Sequence, residues 1–109
     1  MKLFMGIIAA AAVMLTSQAY AAGKVDMVAG QALAQKSGCM ACHSVDKKIV
    51  GPAFKDIAAK YKSDKKAPGM LAAKITKGGS GAWGTIPMPP NAKVTPADMK
   101  TLVDWVLAH

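Results

Sequence analysis

Two thiols and an imidazole fall within five residues at Cys39-Met40-Ala41-Cys42-His43. A Cys-x-x-Cys pair followed at once by histidine is the attachment signature of a c-type haem. On one helical turn, positions i and i+3 share a face, so both sulfurs can bond to the two vinyl groups along one haem edge. The next residue then carries its imidazole over the porphyrin, where a ring nitrogen can bind iron as proximal ligand. Three other uses of the thiols compete: a short-loop disulfide, a thioredoxin-like redox pair, or half of a thiolate metal site. A zinc site would want two further ligands, and His43 and His109 are the only histidines beside the only two cysteines. A thioredoxin-like domain would want Val/Ile-rich strands in βαβ units, and no such runs occur.

Haem iron has a second axial position. His109 lies at a chain end expected to fray. Met40 sits inside the attachment motif and cannot reach the opposite haem face. Met27, Met70 and Met99 lie on or at the ends of expected helices, where methionine commonly fills the core. Met88 differs, because Pro87-Met88-Pro89-Pro90 surrounds it with fixed φ angles and missing amide donors. Such a segment cannot extend a helix or a central strand, but it can hold a thioether over a haem face. Soft sulfur there raises the reduction potential relative to a second imidazole. The rival role for Met88 is simple packing.

The elements that must position these groups are expected to be helices. Asp26 can cap a first helix through Val28, Ala32 and Leu33 to about Ser37, with Gly38 ending it before the motif. Ser44 to Val50 reads as a loop with Lys47-Lys48 in solvent and Ile49-Val50 turned inward. A second helix, Ala53 to about Lys62, follows Gly51-Pro52 with Phe54, Ile57, Ala58 and Tyr61 on one face. A third, about Pro68 to Thr76, sets Leu71 and Ile75 one turn apart and stops at Gly78-Gly79. Gly78 to Asn91 reads as a long functional loop without helix or strand. Thr95-Pro96-Ala97-Asp98 opens the last helix, with Met99, Leu102, Val103 and Val106 on one face to about Leu107. The expected class is all-α, with about four helices around one haem.

The chain of 109 residues is one domain at most. Lys2, an apolar run from Leu3 to Leu15 and the small-x-small site Ala19-Tyr20-Ala21 form a secretory signal peptide, residues 1–21, cut to leave a single domain over 22–109. The apolar run is too short to span a bilayer with ease, although an uncleaved anchor is its rival. Export and haem attachment agree on the periplasm. Thirteen of the fourteen Lys and all six Asp fall after the leader, giving a formal charge of +7 there. A basic surface can face nucleic acid, lipid or an acidic protein. Nucleic acid is disfavoured by export, by the absence of Arg and by scattered lysines. A solvated surface and steering toward acidic redox partners remain. No stable membrane insertion is expected after cleavage, and a covalent haem supplies the staple that so small a domain needs.

The chain resembles the class I c-type cytochromes of the small bacterial type, cytochrome c-551 and its relatives. The matching residues are Cys39-Met40-Ala41-Cys42-His43, Val50-Gly51-Pro52-Ala53-Phe54, Trp83-Gly84 and Ile86-Pro87-Met88-Pro89-Pro90-Asn91, with Leu102 and Trp105. The resemblance implies that the Pro52 carbonyl accepts from the far ring nitrogen of His43. It implies that Trp83 points its indole N–H at a haem propionate, where a buried core aromatic is the alternative. Asn91 corresponds to the residue that bonds the methionine sulfur. Lys74 sits where the family often places a basic propionate partner, against a merely solvated lysine. Gly30 and Ala34 mark the crossing of the first and last helices, and Ala34 replaces an aromatic found in some relatives, so a thinner contact is expected.

The implied function is a one-electron carrier between respiratory partners, not an enzyme, since both axial positions are filled by protein. Rivals are a thiol–disulfide or metal-binding protein using Cys39 and Cys42, a haem enzyme or gas sensor with a displaceable Met88, and a permanent oxidase or reductase subunit.

Overall fold

A computed structural model of the chain describes residues 25–109; the expected signal peptide lies outside the described residues. Four α-helices dominate: α1 (Met27–Lys36), α2 (Phe54–Tyr61), α3 (Ala67–Lys77) and α4 (Pro96–Leu107). Between α1 and α2 the attachment motif forms a single 3-10 turn, Cys39–Ala41. Among the described residues no helix is long and apolar enough to cross a membrane.

Capping fixes two of the helix starts. Asp26 accepts from the Ala29 amide at 2.9 Å, and the Thr95 hydroxyl accepts from the Asp98 amide at 3.2 Å, each satisfying a donor that has no partner within its helix. Gly38 follows α1 with φ 78°, a left-handed conformation that glycine adopts without steric cost. The chain there turns abruptly into the Cys39 motif.

The core gathers on α4, whose Leu102 and Trp105 are the largest fully buried side chains. Phe54 and Ile57 from α2 and Ile75 from α3 pack with Leu102, Val103 and Val106 in the same cluster. The Phe54 ring meets Trp105 edge-on at 5.0 Å, a favourable aromatic geometry. Burying side chains of this size stabilises by about 1.5–3 kcal/mol each, so α4 is the element on which the other helices assemble.

Helix α1 departs from its expected pattern. Val28 is 81 % exposed and Ala32 is also in solvent, while Gly30 and Ala34 form the buried face. A β-carbon on Gly30 would collide with the Trp105 side chain, so the two helices touch almost backbone to ring. Close approach selects small residues, and apolar size is a poor guide to the inward face here. Ala34 is fully buried on the same face.

Two further expectations change. Ile49 is 55 % exposed and stays outside the core, while Val50 turns inward to line a cavity between the helices and the hairpin segment. The segment after α3 carries a two-stranded antiparallel hairpin, β1 (Gly79–Gly81) and β2 (Gly84–Met88), with Gly79 opposite Met88 and Gly81 opposite Gly84. Glycine-rich composition hides the hairpin from periodicity, since β1 is Gly-Ser-Gly and carries no alternating side chains. The class nonetheless remains all-α.

Candidate functional site

The attachment motif is shaped by local hydrogen bonds. The Cys42 and His43 amides both donate to the Cys39 carbonyl, at 3.2 and 2.9 Å, which winds the motif into its tight turn. The amides of Val50 and Gly51 then donate to the Cys42 carbonyl, at 3.1 and 2.7 Å. This double bond to one acceptor folds the 44–50 loop back and delivers Gly51-Pro52 to the His43 ring.

Pro52 completes the arrangement. Its carbonyl lies 2.7 Å from His43 Nδ1. A carbonyl can only accept, so Nδ1 is the donor, and in the neutral ring the lone pair falls on Nε2. Gly51 passes so close beneath the ring that a β-carbon would collide with the imidazole. Phe54 stacks on the ring at 5.1 Å with an interplanar angle of 22°. Backbone, carbonyl and aromatic ring together hold one orientation.

Cys39, Cys42, His43 and Met88 all line a single cavity of about 720 Å³, a size typical of cofactor sites. Ile57, Leu71, Leu102, Val103 and Val106 supply apolar walls, with Trp83 and Ile86 of the hairpin segment at its side. Lys48, Lys74 and Lys77 also line it, and among the described residues no carboxylate does. Cys39 and Cys42 are not joined in a disulfide, and both are part-buried. Burial pushes the Cys39 thiol up, against the opposing pull of a backbone hydrogen bond.

Met88 is half-buried at the end of β2 and packs on the core. Its backbone is held from two sides. Gly78, with φ 69°, passes so close that a β-carbon would strike the Met88 carbonyl, and the Asn91 amide donates to the Ile75 carbonyl at 2.8 Å. Asn91 Nδ2 donates to the Ser37 carbonyl at 3.0 Å, which ties this segment to the residue before Gly38. Trp83 is 40 % exposed and meets Tyr61 edge-on at 6.5 Å. Lys74 lies near the hairpin, its Nζ 3.2 Å from where a β-carbon on Gly79 would stand.

Two cavity features escape sequence patterning. Met70 lines the cavity and is 42 % exposed, so it is not core filler; its place four residues before Lys74 on α3 was the available signal. His109 packs on the core. Its ring lies edge-on to Trp105 at 4.5 Å and stacked over Phe54 at 6.3 Å, away from the cavity lining.

Two thiols, an oriented imidazole with a free lone pair and a thioether share an apolar cleft edged by lysines. That donor set fits a covalently held haem, and helices packed around such a cleft define a small class I cytochrome. The comparisons agree. The family model described as Cytochrome c matches residues 27–109. Cytochrome c-551 of Allochromatium vinosum is 61% identical over 75 residues, covering 69% of this chain and 80% of that protein. The crystal structure of Nitrosomonas europaea cytochrome c552 superposes with a TM-score of 0.69 at 56% identity, covering 72% of this chain and 96% of that one. Class 1 cytochrome MtoD of Sideroxydans lithotrophicus gives a TM-score of 0.69 at 34% identity, covering 78% and 97%. The chain belongs to the cytochrome c family, as a small class I member that carries electrons on one covalently bound haem c and is not an enzyme.

Proposed function

We propose that the chain is a periplasmic one-electron carrier whose haem is bound through Cys39 and Cys42 and ligated by His43 and Met88. The observation that carries this is the 2.7 Å contact between His43 Nδ1 and the Pro52 carbonyl. It reserves Nε2 for a metal in the cavity that Met88 also lines. The haem iron supplies the ferrous–ferric couple. The chain's own residues orient the ligands, exclude water and set the charge around them.

Pro52 strengthens the imidazole as a donor by drawing on its Nδ1 proton. The lysine rim, free of carboxylates among the described residues, suits haem propionates, with Lys74 and the Trp83 indole N–H as the partners. Asn91 holds the Ser37 carbonyl through Nδ2, and its bond to the Met88 sulfur is what the family resemblance implies. Apolar walls disfavour the extra positive charge of the ferric state and so favour a high potential.

Residues 1–21 have the pattern of an exported leader, which supports the periplasm. A formal charge of +7 after the leader supports acidic redox partners, met transiently and in a salt-dependent way. The deciding experiment is a reduced-minus-oxidised visible spectrum of wild type and Met88→Ala. Wild type should show covalent haem c, and the variant should lose the sulfur-to-iron charge-transfer absorption with a lower potential. A colourless protein overturns haem binding, and an unchanged variant overturns Met88 as ligand.

A further inference from the structure

The hairpin that leads to Met88 has little of its own to hold it. Residues 79–88 line the cavity, and Gly79, Gly81 and Gly84 sit at positive φ. Glycine-rich backbone loses more freedom on ordering than any other, so the hairpin needs an external hold. Its base has one at Gly78 and Asn91. Its tip, Ala82-Trp83, has another. Lys60 on α2 places Nζ 3.3 Å from the Ala82 carbonyl and 4.6 Å above the Trp83 ring. The same ammonium lies 5.4 Å from the Tyr61 ring, whose edge contact with Trp83 closes the cluster. Among the described residues this is the only side-chain hydrogen bond to the hairpin.

We propose that Lys60 is a positioning residue that latches the hairpin tip to α2 and thereby holds Met88 in place. The role rests on Met88 as the distal ligand. A cation over an indole, joined to a backbone acceptor, fixes Trp83 against α2 and stops β2 from peeling away from its base. Once the tip is released, excursions of β2 carry Met88 with it, and an external ligand gains access to the iron.

The test is imidazole binding to the ferric holoprotein, followed by the shift of the Soret band, in wild type, Lys60→Gln, Lys60→Arg, Lys55→Gln and Met88→Ala. An exposed cation–π contact corresponds to roughly a two- to five-fold change in an equilibrium. Lys60→Gln should bind imidazole about that much more tightly than wild type. Lys60→Arg, which also stacks on indole, should return to the wild-type value. Lys55→Gln removes a charge from the same helix without touching the hairpin and should match wild type. If Lys60→Gln matches Lys55→Gln, or if Arg fails to rescue, the latch is wrong. If Met88→Ala binds imidazole no better than wild type, the ligand assignment itself has failed, which is a separate result.

Discussion

The side-chain amide of Asn91 donates to the Ser37 carbonyl at 3.0 Å across 54 positions of chain. This bond joins the segment carrying Met88 to the end of α1, immediately before the Cys39 turn. The two halves of the site are thus tied to each other outside the cavity as well as across it. Asn91→Ala leaves a part-buried carbonyl without its donor, which costs about 1–3 kcal/mol. Denaturant unfolding of the holoprotein should show that loss. Because the same residue is assigned to the Met88 sulfur, the charge-transfer absorption should weaken as well. Unfolding unchanged within a few tenths of a kcal/mol would deny the tie.

Gly51 faces the His43 ring so closely that Gly51→Ala forces either the imidazole or the 44–52 loop to move. Overpacking of this kind costs roughly 1–3 kcal/mol. The ring also carries the hydrogen bond to Pro52 at 2.7 Å, so the cost should appear at the site and not only in stability. The expected result is a shifted potential and an altered Soret band in a protein that still holds its haem. A variant with both unchanged would show that the loop yields freely and does not set the ring.

Gly30→Ala provides the contrast. Replacing an interior helical glycine gains about 1 kcal/mol in helix propensity. Against that stands a collision with Trp105, which is 1 % exposed and boxed in by the core. Overpacking against a rigid ring costs about 1–3 kcal/mol, so the collision wins and the midpoint of thermal unfolding should fall. The visible spectrum should not change, since α1 meets α4 away from the cavity lining.

These sites differ in how much the sequence discloses. The spacing of Cys39, Cys42 and His43 is itself chemistry, and prolines around Met88 restrict the backbone whatever the tertiary fold. The helices α2 and α4 repeat apolar residues at helical period, so Phe54, Ile57 and Leu102 were legible as core. The inward face of α1 was not legible from its apolar pattern, because it is chosen by the closeness of Trp105; only the family resemblance pointed to Gly30 and Ala34 there. The hairpin was hidden for a related reason: β1 pairs through backbone groups alone, and no side chain alternates along it. The Lys60 latch joins residues 22 positions apart through an exposed lysine, and thirteen other lysines in the chain carry no mark to set them apart from it.

His109 gives the site's surroundings a pH dependence. Its Nε2 is buried and, among the described residues, has no hydrogen-bond partner, while Trp105 and Phe54 cover its ring. Burial pulls its pKa below the ordinary histidine value, with Asp46 pulling the other way. The folded chain therefore holds His109 neutral where the unfolded chain has begun to protonate it. Stability is complete above about pH 6.5, the unperturbed histidine value, and declines as pH falls through it until the lower folded value is reached. His109→Phe keeps an aromatic ring against Trp105 and removes the proton site. Its unfolding midpoint should lose less than wild type between pH 7.5 and pH 5, groups other than His109 contributing alike to both. Asp46→Asn should act oppositely: without that carboxylate the folded pKa drops further, and the acid loss extends to lower pH. Parallel pH profiles for all three proteins would remove His109 as the cause.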